Sequence, residues 1–207
     1  MDLIWIIIIL IILFVELPWN GPHIQKYSLH NYLNNAIIKT KHGYLDIPLD
    51  KEICYENLAI IHNVFAKHDI FCWLSEGTAL GFTRENDFIT HDDDVDLGIY
   101  EKDKEKFINC LDTLKKYGFE IAEIMNNNNF YAIIRKGEKV DIDITGPNHN
   151  CISCSKAWSR EPCEKIIPYL KFDKKEIRGK IYNLPKIPYL EFLYGKDWKI
   201  PKRSKVI

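Results

Sequence analysis

The 207-residue chain is 46% hydrophobic and carries 28 basic and 29 acidic side chains, for a net charge of −1. No basic field marks it for nucleic acid, and a chain of this length can bury one substantial core once an N-terminal segment is set aside. One catalytic domain is therefore expected, over residues 50–207.

The chain begins with an apolar run, Leu3 to Val15, closed by Glu16 and then Leu17-Pro18-Trp19. As a helix these thirteen residues would span about 20 Å, short of the roughly 30 Å hydrocarbon core. A basic leader and a small-residue cleavage site are both absent. Residues 1–19 therefore read as a short signal anchor with Trp19 at the interface, attaching the protein to a membrane by a single pass. Residues 20–49, with Pro22, Gly43 and Pro48, read as a stem or lead-in.

Asp50 is a candidate N-cap for a helix running to about Lys67, with Cys54, Leu58, Ile61, Phe65 and His68 on one stripe. His62 and His68 lack partners at metal-ligand spacing and read as ordinary helix residues. Ile70 to Leu74 is a short apolar run, expected as a buried strand. It gives way to Ser75-Glu76-Gly77-Thr78-Ala79-Leu80-Gly81. A strand, a glycine turn and a helix start would present backbone N–H groups to an anion. Gly77 and Thr78 are the candidates for touching phosphate, and Arg84 could offer a planar guanidinium to the same group.

The densest stretch is His91-Asp92-Asp93-Asp94-Val95-Asp96-Leu97-Gly98-Ile99, with four carboxylates in five residues. A solvated acidic turn would not alternate, yet Val95, Leu97 and Ile99 interleave with Asp94, Asp96 and Gly98 at the period of a strand entering a core. Asp94 and Asp96 then share a face, with Cα atoms about 7 Å apart. Such a pair suits a hard divalent cation such as Mg²⁺, which takes one or two carboxylates and leaves positions for water and phosphate oxygens.

Lys102 to Tyr117 repeats Phe107, Cys110 or Leu111, Leu114 and Tyr117 at helical spacing, with Gly118 as a stop. Glu120 to Met125, Tyr131 to Arg135 and Lys139 to Thr145 read as strands, the last two joined as a hairpin around Lys136-Gly137-Glu138. The intervening run Asn126 to Asn129 reads as the bias of an A/T-rich coding sequence. Of the six cysteines, Cys54, Cys72 and Cys110 fall in core elements. Cys151, Cys154 and Cys163 cluster behind His149. Cys₃His would satisfy a structural Zn²⁺, and a disulfide between two of the three is the alternative in an oxidising lumen.

Trp73 to Gly81, then Arg84, Phe88-Ile89 and Asp92-Asp93-Asp94-Val95-Asp96, resembles the signature of the LicD family, which includes fukutin and fukutin-related protein. Leu184-Pro185-Lys186-Ile187-Pro188 and Tyr189 to Trp198 look like that family's closing Pro…Tyr-Gly-x-x-Trp segment, so the likeness spans roughly residues 58–201. One departure is His91, where the family usually has Trp. The resemblance implies a nucleotidyltransferase-like α/β (α+β) fold, a mixed and mostly antiparallel sheet flanked by helices. It also implies transfer of a phospho-alcohol, such as phosphocholine or ribitol phosphate, from a CDP-activated donor to a glycan hydroxyl, with Mg²⁺ or Mn²⁺ as cofactor. A third carboxylate is then expected on a neighbouring strand, as metal ligand or base. The family pattern favours Asp141 of Val140-Asp141-Ile142-Asp143-Ile144, although Asp143 shares its face and stays a candidate. The same resemblance implies a lumenal Golgi or ER setting in a eukaryote. Two other classes remain open. A membrane-tethered Asp-x-Asp glycosyltransferase would need a nucleotide-binding βαβ unit ahead of the motif and would release UDP or GDP rather than CMP. A non-catalytic accessory relative would need no intact acidic set.

Overall fold

The computed structural model describes residues 49–90, 92–147, 150–153 and 159–201, and among these Asp50 opens the first helix. The expected anchor at 1–19 and residues 20–48 of the stem lie outside the described residues. Among those described, no helix is long and apolar enough to cross a membrane. The Asp50 carboxylate accepts the N–H groups of Glu52 and Ile53 at 3.1 and 3.2 Å, satisfying donors that have no partner inside helix α1 (Lys51–Lys67). Cys54, Leu58, Ile61 and Phe65 are buried along it, joined by Asn57 and Val64. His68 leaves the stripe and caps the C-terminus, its N–H donating to Val64 and Phe65 carbonyls.

The central sheet has five strands: β1 (Cys72–Leu74), β2 (Val95–Tyr100), β3 (Glu120–Met125), β4 (Phe130–Arg135) and β5 (Glu138–Thr145), in the order β1-β2-β5-β4-β3. Only β2 and β5 run parallel; the other three pairings are antiparallel, so the sheet is mixed and mostly antiparallel as expected. Helix α2 (Glu76–Arg84) links β1 to β2, but these strands are antiparallel, so no parallel βαβ unit precedes the aspartates among the described residues. A 3₁₀ turn (Glu101–Asp103) leads into α3 (Lys104–Lys116), whose Phe107, Cys110, Leu111 and Leu114 are buried. Tyr117 does not join them; it lies just past the last turn and is 46% exposed. Phe107 packs edge-on against Phe65 of α1 and Tyr131 of β4, at 5.9 and 5.0 Å between centroids. The two helices thus share one face of the sheet.

The asparagine run has a local structural role. Asn126, Asn127 and Asn128 all have positive φ (53°, 54° and 61°), a conformation that asparagine tolerates better than most side chains, and they turn β3 into β4. Buried Asn129 then accepts from Lys104 Nζ at 2.7 Å and, through its carbonyl, from the Ile144 N–H at 2.8 Å.

Past β6 (Asn150–Ser153) and β7 (Ser159–Pro162), a further hairpin pairs β8 (Phe172–Ile177) with β9 (Lys180–Pro185), and α4 (Ile187–Tyr194) closes the fold. The pairing of Ile177 with Lys180 leaves a two-residue loop, Arg178-Gly179, with φ of +47° and +76°. Two positive φ values in such a loop match the twist of a tight hairpin. Asn183 Nδ2 donates to the Cys72 carbonyl at 2.6 Å, and Phe172 packs on Trp73 at 5.4 Å, laying the hairpin over β1. His62 meets this hairpin through the Ile181 carbonyl at 3.0 Å, a structural role rather than a ligand's. Cys163 is buried and disulfide-bonded, the disulfide alternative for that residue. Cys154 and His149 lie outside the described residues.

Candidate active site

The parallel register of β2 and β5 sets Asp96 directly beside Asp141, and Asp94 stands two residues before Asp96 on the same face. One carboxylate oxygen from each of Asp94, Asp96 and Asp141 lies within 4.8 Å of the other two. Asp143 pairs with Gly98 and stands outside this group, so the geometry favours Asp141 as the third carboxylate. Asp92, Asp93 and Asp94 form a second acidic group at the lip of the strand.

Helix α2 is fitted onto the aspartates from above its first turn. Thr78 grips Asp96 twice: its N–H donates to Asp96 Oδ2 at 3.2 Å, and its Oγ1 accepts the Asp96 N–H at 2.8 Å. Thr78, expected to touch phosphate, is placed with its backbone N–H on the Asp96 carboxylate and its hydroxyl on the Asp96 backbone. Gly77 is needed for close approach, because a Cβ there would lie 2.4 Å from Asp92 Oδ2 and 3.1 Å from Asp96 Oδ2. In the first turn of α2, the Gly77 N–H has no partner within the helix and stays suited to an anion. Arg84 is at the other end of α2, about 9 Å along the axis from Thr78, and pairs with Glu85, Nε donating at 2.9 Å. The structure does not bring it to the aspartates.

Two residues not singled out in the sequence shape this turn. Glu76 is buried with φ +35°, a left-handed conformation that costs a β-carbon-bearing residue about 1–3 kcal/mol. Tyr189 of α4 holds that turn: its OH lies 2.8 Å from Ser75 Oγ and accepts the Glu76 N–H at 3.3 Å. The closing segment and the glycine turn, far apart in sequence, thus meet at one phenol.

Lys139 in the β5 alternation reads as an ordinary solvent-facing residue. Its Nζ lies 2.7 Å from Asp94 Oδ2 and 2.9 Å from Asp141 Oδ2. Burial would push its pKa down, but the Asp94 and Asp141 charges outweigh that and hold it above the usual lysine value. Burial, then the neighbouring Asp94 charge, drives both Asp96 and Asp141 well above the ordinary carboxylate range, and the same causes take Asp92 to about 8. Carboxylates this crowded ask for more positive charge than one ammonium supplies. Asp141 Oδ1 is buried with no hydrogen-bond partner. The donor set is all hard oxygen, which fits Mg²⁺ or Mn²⁺. Asp94, Asp96 and Asp141 are the residues that would hold it.

A family model described as LicD/FKTN/FKRP, nucleotidyltransferase domain, matches residues 69–176. The chain is 33% identical over 79 residues to an uncharacterized protein of Rickettsia typhi, and 29% identical over 68 residues to one of Rickettsia prowazekii. These stretches cover 38% and 33% of this chain but 24% and 26% of those proteins, so the chain spans about a quarter of their length. Among solved structures it is similar to the antibiotic-resistance factor ANT(2'')-Ia in solution, with TM-score 0.46 and 13% identity over 67% of this chain and 68% of that one. It is also similar to the lincosamide antibiotic adenylyltransferase LnuA with lincomycin bound, with TM-score 0.46 and 14% identity over 68% and 85%.

Proposed function

This chain belongs to the LicD/FKTN/FKRP family of nucleotidyltransferase domains, and from that premise we propose that it transfers a phospho-alcohol from a CDP-activated donor to a glycan hydroxyl. Membership supports a transferase of the glycan-modifying phosphotransferase type. The observation that carries the finer reading is the convergence of Asp94, Asp96 and Asp141 within 4.8 Å beside the first turn of α2. In the reaction, the acceptor hydroxyl oxygen attacks the phosphorus bearing the alcohol, the bond to the bridging oxygen breaks, and CMP leaves. Mg²⁺ or Mn²⁺, when bound, would neutralise the diphosphate and polarise the transferred phosphoryl group. Asp94 and Asp96 would hold the ion, with Thr78 fixing the angle of Asp96. Asp141 Oδ1, which has no partner, is open either to the proton of the attacking hydroxyl or to the ion. The Gly77 N–H, in the first turn of α2, would donate to donor phosphate. The apolar segment Leu3 to Val15 would tether the enzyme to the membrane that carries its acceptor.

The test is a screen of CDP-choline, CDP-ribitol and CDP-glycerol with Mg²⁺, following CMP release and the mass of the acceptor glycan. CMP release that is lost on chelation and in Asp96→Asn supports the reading. Release of UDP or GDP from sugar nucleotides would replace it with glycosyl transfer, and inertness towards every activated donor would point to an accessory role.

A further inference from the structure

The register that joins Asp96 to Asp141 also determines where Lys139 sits. Val95, the first residue of β2, pairs with Val140 on the parallel β5, and the residues just before them, Asp94 and Lys139, meet as an ion pair. Lys139 and Asp141, two apart, then project from the same face, and the ammonium bridges Asp94 Oδ2 and Asp141 Oδ2 at 2.7 and 2.9 Å. Those oxygens belong to two of the three carboxylates that cluster within 4.8 Å. An ion such as Mg²⁺ binds carboxylate oxygen at about 2.1 Å, and an ammonium left on the same oxygens would face it at a few ångströms, where like charges repel strongly. Even an ion seated on the other oxygens, Asp141 Oδ1 among them, would lie within a few ångströms of that ammonium, so the two cations compete for the cluster whichever oxygens the metal takes. Lysine's four-carbon stem allows the head to swing aside, and its side chain is 22% exposed, which leaves it a route.

We propose that Lys139 is the resident counter-cation of the Asp94, Asp96 and Asp141 cluster, that a divalent metal must displace it, and that it therefore sets the metal affinity of the site. The proposal rests on the metal-dependent reading above and adds to it the residue that regulates loading. Once a bound cation keeps all three carboxylates ionised, they and one ammonium sum to about two negative charges, which one divalent ion matches. Once displaced, the ammonium stands beside the ion with its carboxylates taken, and donor phosphate is the partner whose charge suits it.

Mn²⁺ alone, with no nucleotide, is the probe, and its binding to the full-length protein is followed by electron paramagnetic resonance. Lys139→Met is expected to bind Mn²⁺ roughly tenfold more tightly or better, since a cation competing for the ligand oxygens has been removed. Lys139→Arg should stay within a few fold of the wild type, as should Lys136→Met, whose parent lysine pairs with Glu56 instead. Equal or weaker binding by Lys139→Met overturns the proposal while leaving the metal site standing. Failure of both the wild type and that variant to take up Mn²⁺ overturns the metal reading together with this one. Should Lys139→Met not fold, the wild type supplies the answer through amine-reactive labelling read by mass spectrometry. Labelling of Lys139 should accelerate several-fold when Mn²⁺ is added, while Lys136 stays constant, and an unchanged rate at Lys139 under saturating Mn²⁺ overturns the displacement.

Discussion

Alternate residues along β2 and β5 meet opposite surroundings. Val95, Leu97, Ile99, Val140, Ile142 and Ile144, none more than 2% exposed, belong to the core shared with α1 and α3. Asp96, Lys139, Asp141 and Asp143 occupy the other face of the same two strands. A single period-two pattern therefore encodes a core and the candidate site back to back. The apolar face is optimised for packing. The acidic face holds carboxylates driven towards their protonated forms by burial and one another, with one ammonium among them. Local cost of this kind is kept where chemistry needs it. Substitutions on the two faces should accordingly separate into losses of chemistry and losses of stability.

The largest separation is expected from Asp94→Asn and Asp96→Asn, which keep shape and remove ligand charge. Transfer should fall by roughly 10³-fold or more, the scale of losing several kcal/mol of electrostatic stabilisation. The melting temperature of metal-free protein should hold or rise, because a crowded buried charge has been removed. Near-normal turnover in either variant, measured as CMP release, would remove the metal site from the mechanism. The mirror experiment is Leu97→Ala on the core face. It should destabilise by about 2–5 kcal/mol in denaturant titration, while activity per folded molecule stays close to normal. A Leu97→Ala protein with full stability and poor turnover would break the division between the faces.

Within the acidic face the comparison sharpens to two aspartates on one strand. Asp141→Asn should lower kcat by about 10² or more, as losing a positioned base or ligand does, and Asp143→Asn by far less. Asp141 reaches the cluster because its register partner is Asp96, whereas the partner of Asp143 is Gly98, which has no carboxylate to offer. Equal losses in the two variants would move the role off the register argument.

That contrast also shows how far the sequence could be read. Periodicity and caps gave α1, with Asp50 as its cap, and the strands β3 to β5 to within a residue or so, because each rests on local signals. The Asp94 and Asp96 pair was legible for the same reason. Lys139 was not, since nothing local distinguishes a lysine bound to aspartates from one in water; only the parallel register with β2 places it beside Asp94. For Arg84, proximity in sequence to the glycine turn suggests a shared ligand, whereas helical rise sets it at the far end of α2, where it pairs with Glu85. The β8 and β9 hairpin did carry a signal in Arg178-Gly179, yet its flanks alternate weakly, with Asp173, Lys174, Lys175 and Glu176 dominating β8. Asn126 to Asn128 looked compositional because left-handed backbone is invisible until the turn is formed.

The smallest expected effect concerns the tie between the distant segments. Tyr189 is 3% exposed, and its OH meets both Ser75 Oγ and the Glu76 N–H at the turn from which α2 starts. Tyr189→Phe deletes that oxygen without changing the ring, leaving a buried hydroxyl and a backbone donor short of a partner. Such a loss costs about 1–2 kcal/mol. Because Glu76 sits at positive φ, the turn has little conformational reserve, and Thr78 two residues on sets the orientation of Asp96. A several-fold fall in turnover should therefore accompany the loss of stability. Ser75→Ala offers the control: if the hydroxyl pair acts as one unit, the double variant should be less destabilised than the sum of the singles. Strict additivity in chemical denaturation would mean that Tyr189 supports α4 alone and that the closing segment does not hold the site.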